Sequence, residues 1–276
     1  MGEIIREVRV LCTLYRDMPP RFYLSSFDEP MLDEAESHHA TQVLRLRVSD
    51  LITCFDGKGQ EAACMMESVQ KKRVSLRLTA IQQTPKPSCP LTLIQAVTKP
   101  KSMEWIVQKA VELGVTRIYP VLTRYSIASL SHEKAHEKQA KWRQIAIEAC
   151  KQCGQNWLPQ IDAPISLQHF FKTADACACS DIKLIAVLTS SAGPLHLLLD
   201  NQIKRRPALR SIAYAVGPEG DFTADEIELF TQAGFLPVSL GSMTLRSETA
   251  ALYLAAILRY ETERYFATRV KTSSAS

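Results

Sequence analysis

Strand and helix patterns alternate in the stretch IAYAVGPEGDFTADEIELFTQAGFLPVSLGSMTLRSETAALYLAAIL, residues 212–258. Residues 212–216 form an uninterrupted apolar run, which is typical of a strand buried on both faces, and residues 236–240 predict a second strand. Between them, Thr223 and Glu226 have the spacing of a capping box, which predicts the start of a helix. Strand–helix alternation of this kind predicts an α/β domain with a parallel sheet.

The same alternation extends back to residue 91 and forward to residue 265. The predicted strands are 91–96, 115–122, 182–189, 212–216 and 236–240. The predicted helices are a segment over 103–111 that stops at Gly114, a long helix over 142–153, a helix from Thr223 to Gly234, and a last helix over 248–265. We expect the α/β domain to span residues 91–267 and to be followed by a frayed tail over 268–276.

The first third of the chain has short strands joined by turns. The predicted elements are strands over 21–24, 50–55, 61–68 and 73–81, and a short helix over 33–46. Asp56-Gly57-Lys58-Gly59 is a hairpin signal between two of the strands. We expect a small β-rich barrel over 20–84. A linker is expected over 85–90, since residues 84–90 contain three prolines.

Composition excludes several classes of protein. With 276 residues, the chain is near the upper limit for a single core, which favours two modest domains. An apolar fraction of 46% and a charged fraction of 22% exclude a mostly disordered chain. The apolar runs are too short for a transmembrane helix. The net charge of +4 permits a nucleic-acid partner without requiring one.

Residues 1–19 precede the first predicted strand and have no periodic core pattern. Their central apolar stretch is too short for a secretion signal, and Glu3 and Glu7 argue against a transit peptide. We interpret the segment as a flexible extension outside the fold and expect a cytoplasmic protein.

Removal of residues 1–19 is expected to leave folding and activity unchanged, because a segment without a core pattern contributes little to packing. Thermal melting and an activity assay of the shortened chain test this. A large loss of either property on deletion would contradict the prediction.

The eight cysteines do not predict a disulfide framework. Cys54 and Cys64 lie in apolar strand patterns, and Cys89 lies in the linker, so a reducing compartment fits better. Cys150 and Cys153 form one C-x-x-C, but no second pair or nearby His completes a zinc site. Their spacing fits a packed helix face, and we predict no metal.

Three predicted strand ends carry residues suited to ligand binding, because ligands bind at the carboxyl ends of strands in α/β sheets. The three loops are 188–193, 216–222 and 240–250. Neither a dinucleotide nor a P-loop glycine fingerprint is present. Taken alone, the V-G-P-E-G turn fits a ligand loop and an ordinary strand–helix turn equally well. Arg246 and Glu248 fit either a functional pair or a structural ion pair.

Four segments together resemble one enzyme family. They are QAVTKPKSMEWIVQKAVELGV (95–115), WRQIAIEACKQCGQN (142–156), VGPEGDFTADEI (216–227) and LGSMTLRSETAAL (240–252). In this combination and order they are similar to ribosomal RNA small subunit methyltransferase E, a family of the SPOUT class. The segment 21–59 is similar to the family's PUA-like RNA-binding barrel. The resemblance covers roughly residues 20–266.

The resemblance implies a SPOUT-type, trefoil-knotted parallel sheet with helices, preceded by a PUA-like β-barrel. It also implies methylation of N3 of a uridine in 16S ribosomal RNA within the small subunit, S-adenosyl-L-methionine as cofactor, and a homodimer. Asp221 stands where the family usually has Gly, and Gln155 and Met243 where it usually has Arg. A knot is not predicted by the local pattern, because chain connections are ordinarily unknotted.

The resemblance also implies roles for individual residues. Arg246 and Glu248 are the catalytic candidates: Arg246 to stabilise negative charge on the base, and Glu248 to orient Arg246 or accept a proton. The candidate cofactor-binding residues are Leu188, beneath the adenine, and Gly217, Pro218, Glu219, Gly220, Leu240, Gly241 and Leu245. The candidate RNA-binding residues are Arg21, His38, His39, Arg45, Arg47, Lys71, Lys72, Arg73 and Arg124. For Lys71–Arg73 a solvated hairpin tip is the alternative, and Gln152 is a further candidate for the cleft.

Two other functions fit the sequence less well. One is a different SPOUT enzyme that acts on transfer RNA. The other is a non-catalytic RNA-binding protein, which would not bind the cofactor.

Overall fold

The structure is a computed structural model that describes residues 19–70, 73–126, 131–173, 180–206 and 208–273. Residues 1–18 of the predicted extension over 1–19 therefore lie outside the described residues, as do Lys71 and Lys72. Internal contacts divide the chain into two units, Met1–Lys86 and Pro87–Ser276.

The N-terminal unit contains a five-stranded sheet in the order β1-β3-β4-β5-β2. The strands are β1 (Arg21–Tyr23), β2 (Met31–Leu32), β3 (Leu51–Phe55), β4 (Gln60–Gln70) and β5 (Arg73–Gln83). β1 pairs with β3 in parallel, and the other pairs are antiparallel. Phe22, Leu32, Ile52 and Met66 share one core, so edge and central strands bury the same side.

The predicted helix of this unit is a composite. Helix α1 (Glu34–His38) begins at Asp33, whose Oδ1 accepts a hydrogen bond from the Glu36 amide at 2.8 Å. It continues as a π-helical turn over His39–Val43. Arg45 then takes a positive φ of 57°. That left-handed residue turns the chain out of the helix towards β3.

The C-terminal unit contains a parallel sheet in the order β11-β13-β10-β12-β6-β7-β8, with β9 also paired to β7. The strands are β6 (Leu91–Ala96), β7 (Val115–Leu122), β8 (Gln160–Ile161), β9 (Ile165–Ser166), β10 (Ile182–Ala186), β11 (Gly193–Pro194), β12 (Ile212–Val216) and β13 (Leu236–Ser239). The helices are α2 (Pro100–Glu112), α3 (His132–Cys153), α4 (Leu167–Thr173), α5 (Leu195–Lys204), α6 (Ala224–Gln232) and α7 (Ser247–Ser273).

Helices cover both faces of this sheet, as the apolar pattern of β12 requires. On one face, Ala213 and Ala215 of β12 pack in a cluster that includes Phe230 of α6 and Phe170 of α4. On the other face, α7 packs against β12 and β6 and also contacts α2. The predicted parallel α/β domain is confirmed.

Several element ends differ from the prediction, and the largest difference is that α3 begins at His132 rather than at residue 142. β10 ends at Ala186 rather than Thr189, which leaves residues 187–190 free to form a loop. α7 runs to Ser273, past the predicted end at Tyr265. The segment after Tyr265 contains no Gly or Pro to stop the helix, and the Arg269 guanidinium lies 4.6 Å from the ring of Tyr265 one turn earlier. The predicted frayed tail is therefore helical through Ser273.

The cysteines of the described residues that carry free thiols are Cys54, Cys64, Cys89, Cys150 and Cys153. Burial raises the pKa of the Cys89 thiol to about 12, so it stays protonated and unreactive. Cys150 is buried on α3, as a packed helix face requires. The described part of the chain contains no group of three or more His, Cys, Asp or Glu side chains able to hold a metal. None of its helices is long and apolar enough to cross a membrane.

Candidate active site

The carboxyl ends of four adjacent strands enclose a cleft in the C-terminal unit. β13, β10, β12 and β6 are neighbours in the sheet, so the loops that follow them meet at one edge. The cleft has a volume of about 720 Å³. The residues that line it are Lys99, Ser102, Ala186, Val187, Leu188, Thr189, Ser190, Val216, Gly217, Pro218, Glu219, Asp221, Ser239, Leu240, Gly241, Met243, Thr244, Leu245, Arg246, Ser247, Glu248 and Ala250.

A buried hydrogen-bond network connects three parts of the cleft, which are β6, the loop after β12 and the start of α7. Gln95 of β6 is fully buried, and its Nε2 donates to Ser247 Oγ at 3.0 Å and to the Ala96 carbonyl at 3.0 Å. Ser247 Oγ in turn donates to the Gly217 carbonyl at 2.5 Å. The network ties the start of α7 to the loop after β12. It therefore fixes the position of the residues on either side of Ser247, which include Arg246 and Glu248.

The V-G-P-E-G turn is closed by a hydrogen bond from the Asp221 amide to the Pro218 carbonyl at 3.0 Å. A Cβ on Gly217 would lie 3.0 Å from Asp221 Oδ1 and 3.2 Å from the Cα of Asp221. A side chain at residue 217 would therefore require Asp221 to move by a few tenths of an ångström. The turn presents Gly217, Pro218 and Glu219 to the cleft.

The other side of the turn packs against the loop after β7. A Cβ on Gly220 would lie 3.0 Å from the Cβ of Tyr125, and Gly220 does not line the cleft. Glu226 Oε1 accepts a hydrogen bond from the Arg124 amide at 2.8 Å, and Glu226 Oε2 accepts one from the Thr223 amide at 2.9 Å. The predicted capping box is thus formed, and its glutamate also anchors the neighbouring loop.

Apolar side chains are exposed at the rim of the cleft. Leu188 is 66% exposed and Met243 is 75% exposed, although both line the cleft. Leaving large apolar groups in water beside a concave surface is typical of a ligand site.

Charged groups of both signs surround the cleft. Lys99 and Arg246 supply positive charge, while Glu219, Asp221 and Glu248 supply negative charge. Arg246 is exposed, and the structure shows no ion pair between it and Glu248. The structural ion pair that the sequence left open is therefore not formed, and neither is direct orientation of Arg246 by Glu248.

Most predicted residues of this site lie where the sequence suggested. Leu188, Gly217, Pro218, Glu219, Leu240, Gly241, Leu245, Arg246 and Glu248 line the cleft. Gly220 does not, because its place in the turn is against Tyr125. Arg124 and Gln152 are exposed but also lie outside the cleft lining.

The predicted RNA-binding residues of the N-terminal unit divide into two groups. His38, Arg45, Arg47 and Arg73 are exposed, and His39 is half-buried with its ring against Phe22. By contrast, the side chain of Arg21 is only 8% exposed, pairs with Glu61, and stacks over the ring of Phe55 at 5.0 Å. Arg21 therefore stabilises the sheet, and its predicted phosphate contact is corrected to a structural role.

Sequence reasoning missed several residues of the cleft. Lys99 and Ser102 follow β6, a strand end that the sequence did not place among the ligand loops. The loops that the sequence did indicate contain three further lining residues, Asp221, Thr244 and Ser247. Of these, the sequence analysis named only Asp221, and only as a departure from the family pattern. The rule that ligands gather at the carboxyl ends of strands indicates Lys99 directly once β6 is placed in the middle of the sheet.

The chain matches two family profiles. Residues 84–259 match the RNA methyltransferase domain, and residues 32–79 match the RNA methyltransferase PUA domain. Among curated relatives, ribosomal RNA small subunit methyltransferase E of Bacillus subtilis is 30% identical over 230 residues, which are 83% of this chain and 88% of the relative.

Solved structures of similar proteins include two with a bound cofactor. A Legionella pneumophila methyltransferase in complex with S-adenosylmethionine has 31% identity and a TM-score of 0.78, over 88% of this chain and 98% of that one. A Neisseria gonorrhoeae ribosomal RNA small subunit methyltransferase E bound to S-adenosyl methionine has 32% identity and a TM-score of 0.75, over 88% and 97% of the two chains.

Fold and cleft together define an RNA methyltransferase with an α/β domain and a PUA-like domain. Within that class, the chain belongs to the ribosomal RNA small subunit methyltransferase E family. The resemblance and the SPOUT-type fold class predicted from the sequence are confirmed.

Proposed function

We propose that this protein methylates N3 of a uridine in 16S ribosomal RNA, with S-adenosylmethionine as the methyl donor. The observation that carries the proposal is the cleft at the ends of β6, β10, β12 and β13, which is lined by the segments that match the family. The PUA-like domain supports RNA as the substrate class.

The cleft fits the cofactor on features of this chain alone. A volume of about 720 Å³ is within the usual range of small-molecule sites. The exposed Leu188 provides an apolar contact for the adenine, and the glycine backbone at residue 217 allows close approach of a ligand. The cofactor residues we propose are Leu188, Gly217, Pro218, Glu219, Leu240, Gly241 and Leu245. S-adenosylmethionine supplies an electrophilic methyl group on a sulfonium sulfur.

The chemistry of uracil decides what the protein must contribute. N3 carries a proton, and its lone pair is delocalised into two carbonyl groups, so it is a poor nucleophile until the proton leaves. The protein must hold N3 about 3–3.5 Å from the methyl carbon and in line with the sulfur. It must also favour the negative charge that spreads onto the carbonyl oxygens as the proton is lost.

Arg246 is the group best suited to stabilise that charge. Its guanidinium lines the cleft, is exposed, and has no ion-pair partner among the described residues, so it can donate to the base or to a flanking phosphate. Glu248, two residues further along the chain and in the first turn of α7, is the candidate to accept the N3 proton directly or through water. The hydrogen bond from Ser247 Oγ to the Gly217 carbonyl fixes the position of both residues relative to the V-G-P-E-G turn.

RNA affinity is assigned to the N-terminal unit and the cleft rim. The proposed phosphate contacts are His38, His39, Arg45, Arg47, Lys71, Lys72, Arg73 and Arg124. Exposed Val43, Leu44 and Val48 interleave with Arg45 and Arg47. Lys99 adds a cation at the cleft itself, where a phosphate next to the target uridine would pass.

A homodimer, a trefoil knot in the C-terminal unit and a cytoplasmic location complete the proposal. Exposed Leu197 on α5 and Tyr253 and Tyr260 on α7 support the dimer, because large apolar groups on neighbouring helices are typical of subunit interfaces. Light scattering of the full chain is expected to give twice the mass of 30.9 kDa.

Mapping of methylated uridine tests the function directly. We expect 16S RNA from a deletion strain to lack one N3-methyluridine, and purified protein with S-adenosylmethionine to restore it in isolated small subunits. Loss of a methyl group from transfer RNA instead would favour the other SPOUT reaction. Absence of calorimetric binding to S-adenosylmethionine would favour the non-catalytic alternative.

The two units are expected to divide cofactor binding and RNA binding between them. A fragment of residues 87–276 contains every residue of the cleft and should bind S-adenosylmethionine as the full chain does. It should bind RNA more weakly, because the cations of the first unit are gone. Both affinities must be measured at one salt concentration. Equal RNA affinity of fragment and full chain would contradict this division.

A further inference from the structure

Asp221 has an unusual backbone conformation for a residue with a side chain. Its φ is +60°, in the left-handed region, and Asp221 is the one non-glycine residue of the described C-terminal unit with a positive φ. The left-handed conformation disfavours residues that carry a Cβ, although Asp tolerates it better than most because its short side chain bonds locally. A glycine at this position would avoid the strain. We therefore expect the carboxylate of Asp221 to make interactions that offset the cost of the left-handed conformation.

The carboxylate of Asp221 joins two loops of the cleft. Its Oδ2 accepts a hydrogen bond from the Leu188 amide at 3.1 Å, across 33 positions of sequence. Its Oδ1 accepts one from the Phe222 amide at 2.8 Å. Hydrogen bonds to an ionised acceptor are stronger than neutral ones. The bridge therefore connects the loop after β12 to the loop after β10.

One end of the bridge is anchored in the core, and the other lies at the exposed rim of the cleft. Phe222 is 5% exposed and its ring packs 5.0 Å from Phe230 in the core. Leu188 lies beyond the end of β10, and its side chain is 66% exposed. The backbone of β10 is held up to Val187, whose amide donates to the Val238 carbonyl at 3.2 Å. The next amide along the chain, that of Leu188, donates to the Asp221 carboxylate instead of to a neighbouring strand.

We propose that Asp221 is a positioning residue that fixes the Leu188 wall of the cleft and thereby sets the affinity for the adenosine part of the cofactor. The carboxylate holds the Leu188 backbone before the ligand arrives, so less ordering is required on binding. This inference rests on the proposed function for the identity of the ligand. The bridge itself is a property of the free protein.

Replacement of Asp221 by Gly and by Asn tests the proposal. Asp221→Gly removes both hydrogen bonds and the backbone strain together, while Asp221→Asn keeps one acceptor oxygen and tolerates the left-handed conformation. We expect the Kd for S-adenosylmethionine to rise about five- to twentyfold in Asp221→Gly and by less in Asp221→Asn. The melting temperature of Asp221→Gly should change little, because relief of the backbone strain offsets the loss of the two hydrogen bonds. Ser49→Gly, which relieves a φ of +78° in the other unit, is the matched control and should leave cofactor affinity unchanged.

Two further measurements separate positioning from other roles. S-adenosylhomocysteine has the same adenosine but no sulfonium charge, so its Kd should rise by the same factor. Amide hydrogen exchange at Leu188 in the ligand-free protein should be faster in Asp221→Gly than in wild type. A loss confined to S-adenosylmethionine, a wild-type Kd in Asp221→Gly, or unchanged exchange at Leu188 would each overturn the proposal. Failure of the wild-type protein to bind either ligand would instead contradict the proposed function, and the exchange experiment would still test the bridge.

Discussion

Replacement of Arg246 by Ala is expected to lower the single-turnover rate of methyl transfer by about 10²–10³-fold, the typical effect of removing one preorganised donor. Cofactor affinity should stay within a few-fold of wild type. The reason is charge: the reacting sulfur of S-adenosylmethionine is positive, so a guanidinium does not attract it. In the reaction that we propose, the same guanidinium lies beside the target base and stabilises the negative charge that develops as the N3 proton leaves.

The structure makes this prediction more specific, because Arg246 has no ion-pair partner among the described residues. Its replacement therefore leaves no carboxylate of the described residues without a partner. A structural role at an exposed position would have a small effect, about 0–1 kcal/mol of stability. Arg210→Ala is a suitable control, since Arg210 is exposed and precedes β12 at the opposite end of the strand from the cleft. Rate, cofactor Kd and melting temperature should be measured on the same preparations.

Two outcomes would contradict the assignment. If Arg246→Ala transfers methyl groups within a few-fold of wild type, Arg246 is not part of the chemistry. If cofactor affinity falls in step with the rate, Arg246 shapes the cofactor pocket instead. A large rate loss with an unchanged Kd is the expected pattern of an interaction made only in the transition state.

The fold was accessible from the sequence because its local signals agree with one another. The apolar run at 212–216, the capping box of Thr223 and Glu226, and the helix stop at Gly114 each have the expected form in the structure. Buried parallel strands and capped helices are specified by neighbouring residues. The end of α7 was predicted wrongly because no Gly, Pro or other local signal marks a helix stop there.

Hydrogen bonds between residues distant in sequence could not be predicted from local signals. The Gln95–Ser247 hydrogen bond spans 152 positions, and the Leu188–Asp221 bond spans 33. Neither has a spacing rule, since each depends on which strands become neighbours in the sheet. Arg21 is a similar case, because the sequence alone shows only a cation at the start of a predicted strand. Only the pairing of strands places Glu61 beside it.

The position of Gly217 leads to the second large prediction. A Cβ at residue 217 would lie 3.0 Å from Asp221 Oδ1 and 3.2 Å from Asp221 backbone atoms, which is closer than such atoms approach without movement. The residue cannot shift away, because its carbonyl is held by Ser247 Oγ at 2.5 Å. Asp221 must therefore shift by a few tenths of an ångström, and with it the carboxylate that holds Leu188.

Gly217→Ala is accordingly expected to weaken S-adenosylmethionine binding about tenfold to a hundredfold, since overpacking of a fixed backbone typically costs about 1–3 kcal/mol. Calorimetric titration of the folded variant measures it. Gly154→Ala is the matched control: Gly154 ends α3 with a φ of +78°, and a Cβ added there would meet no atom within 4 Å. Its replacement therefore strains the backbone at a residue that does not line the cleft. That control should lower the melting temperature and leave the cofactor Kd unchanged. Wild-type affinity in a folded Gly217→Ala would contradict the prediction that close packing at residue 217 controls cofactor binding.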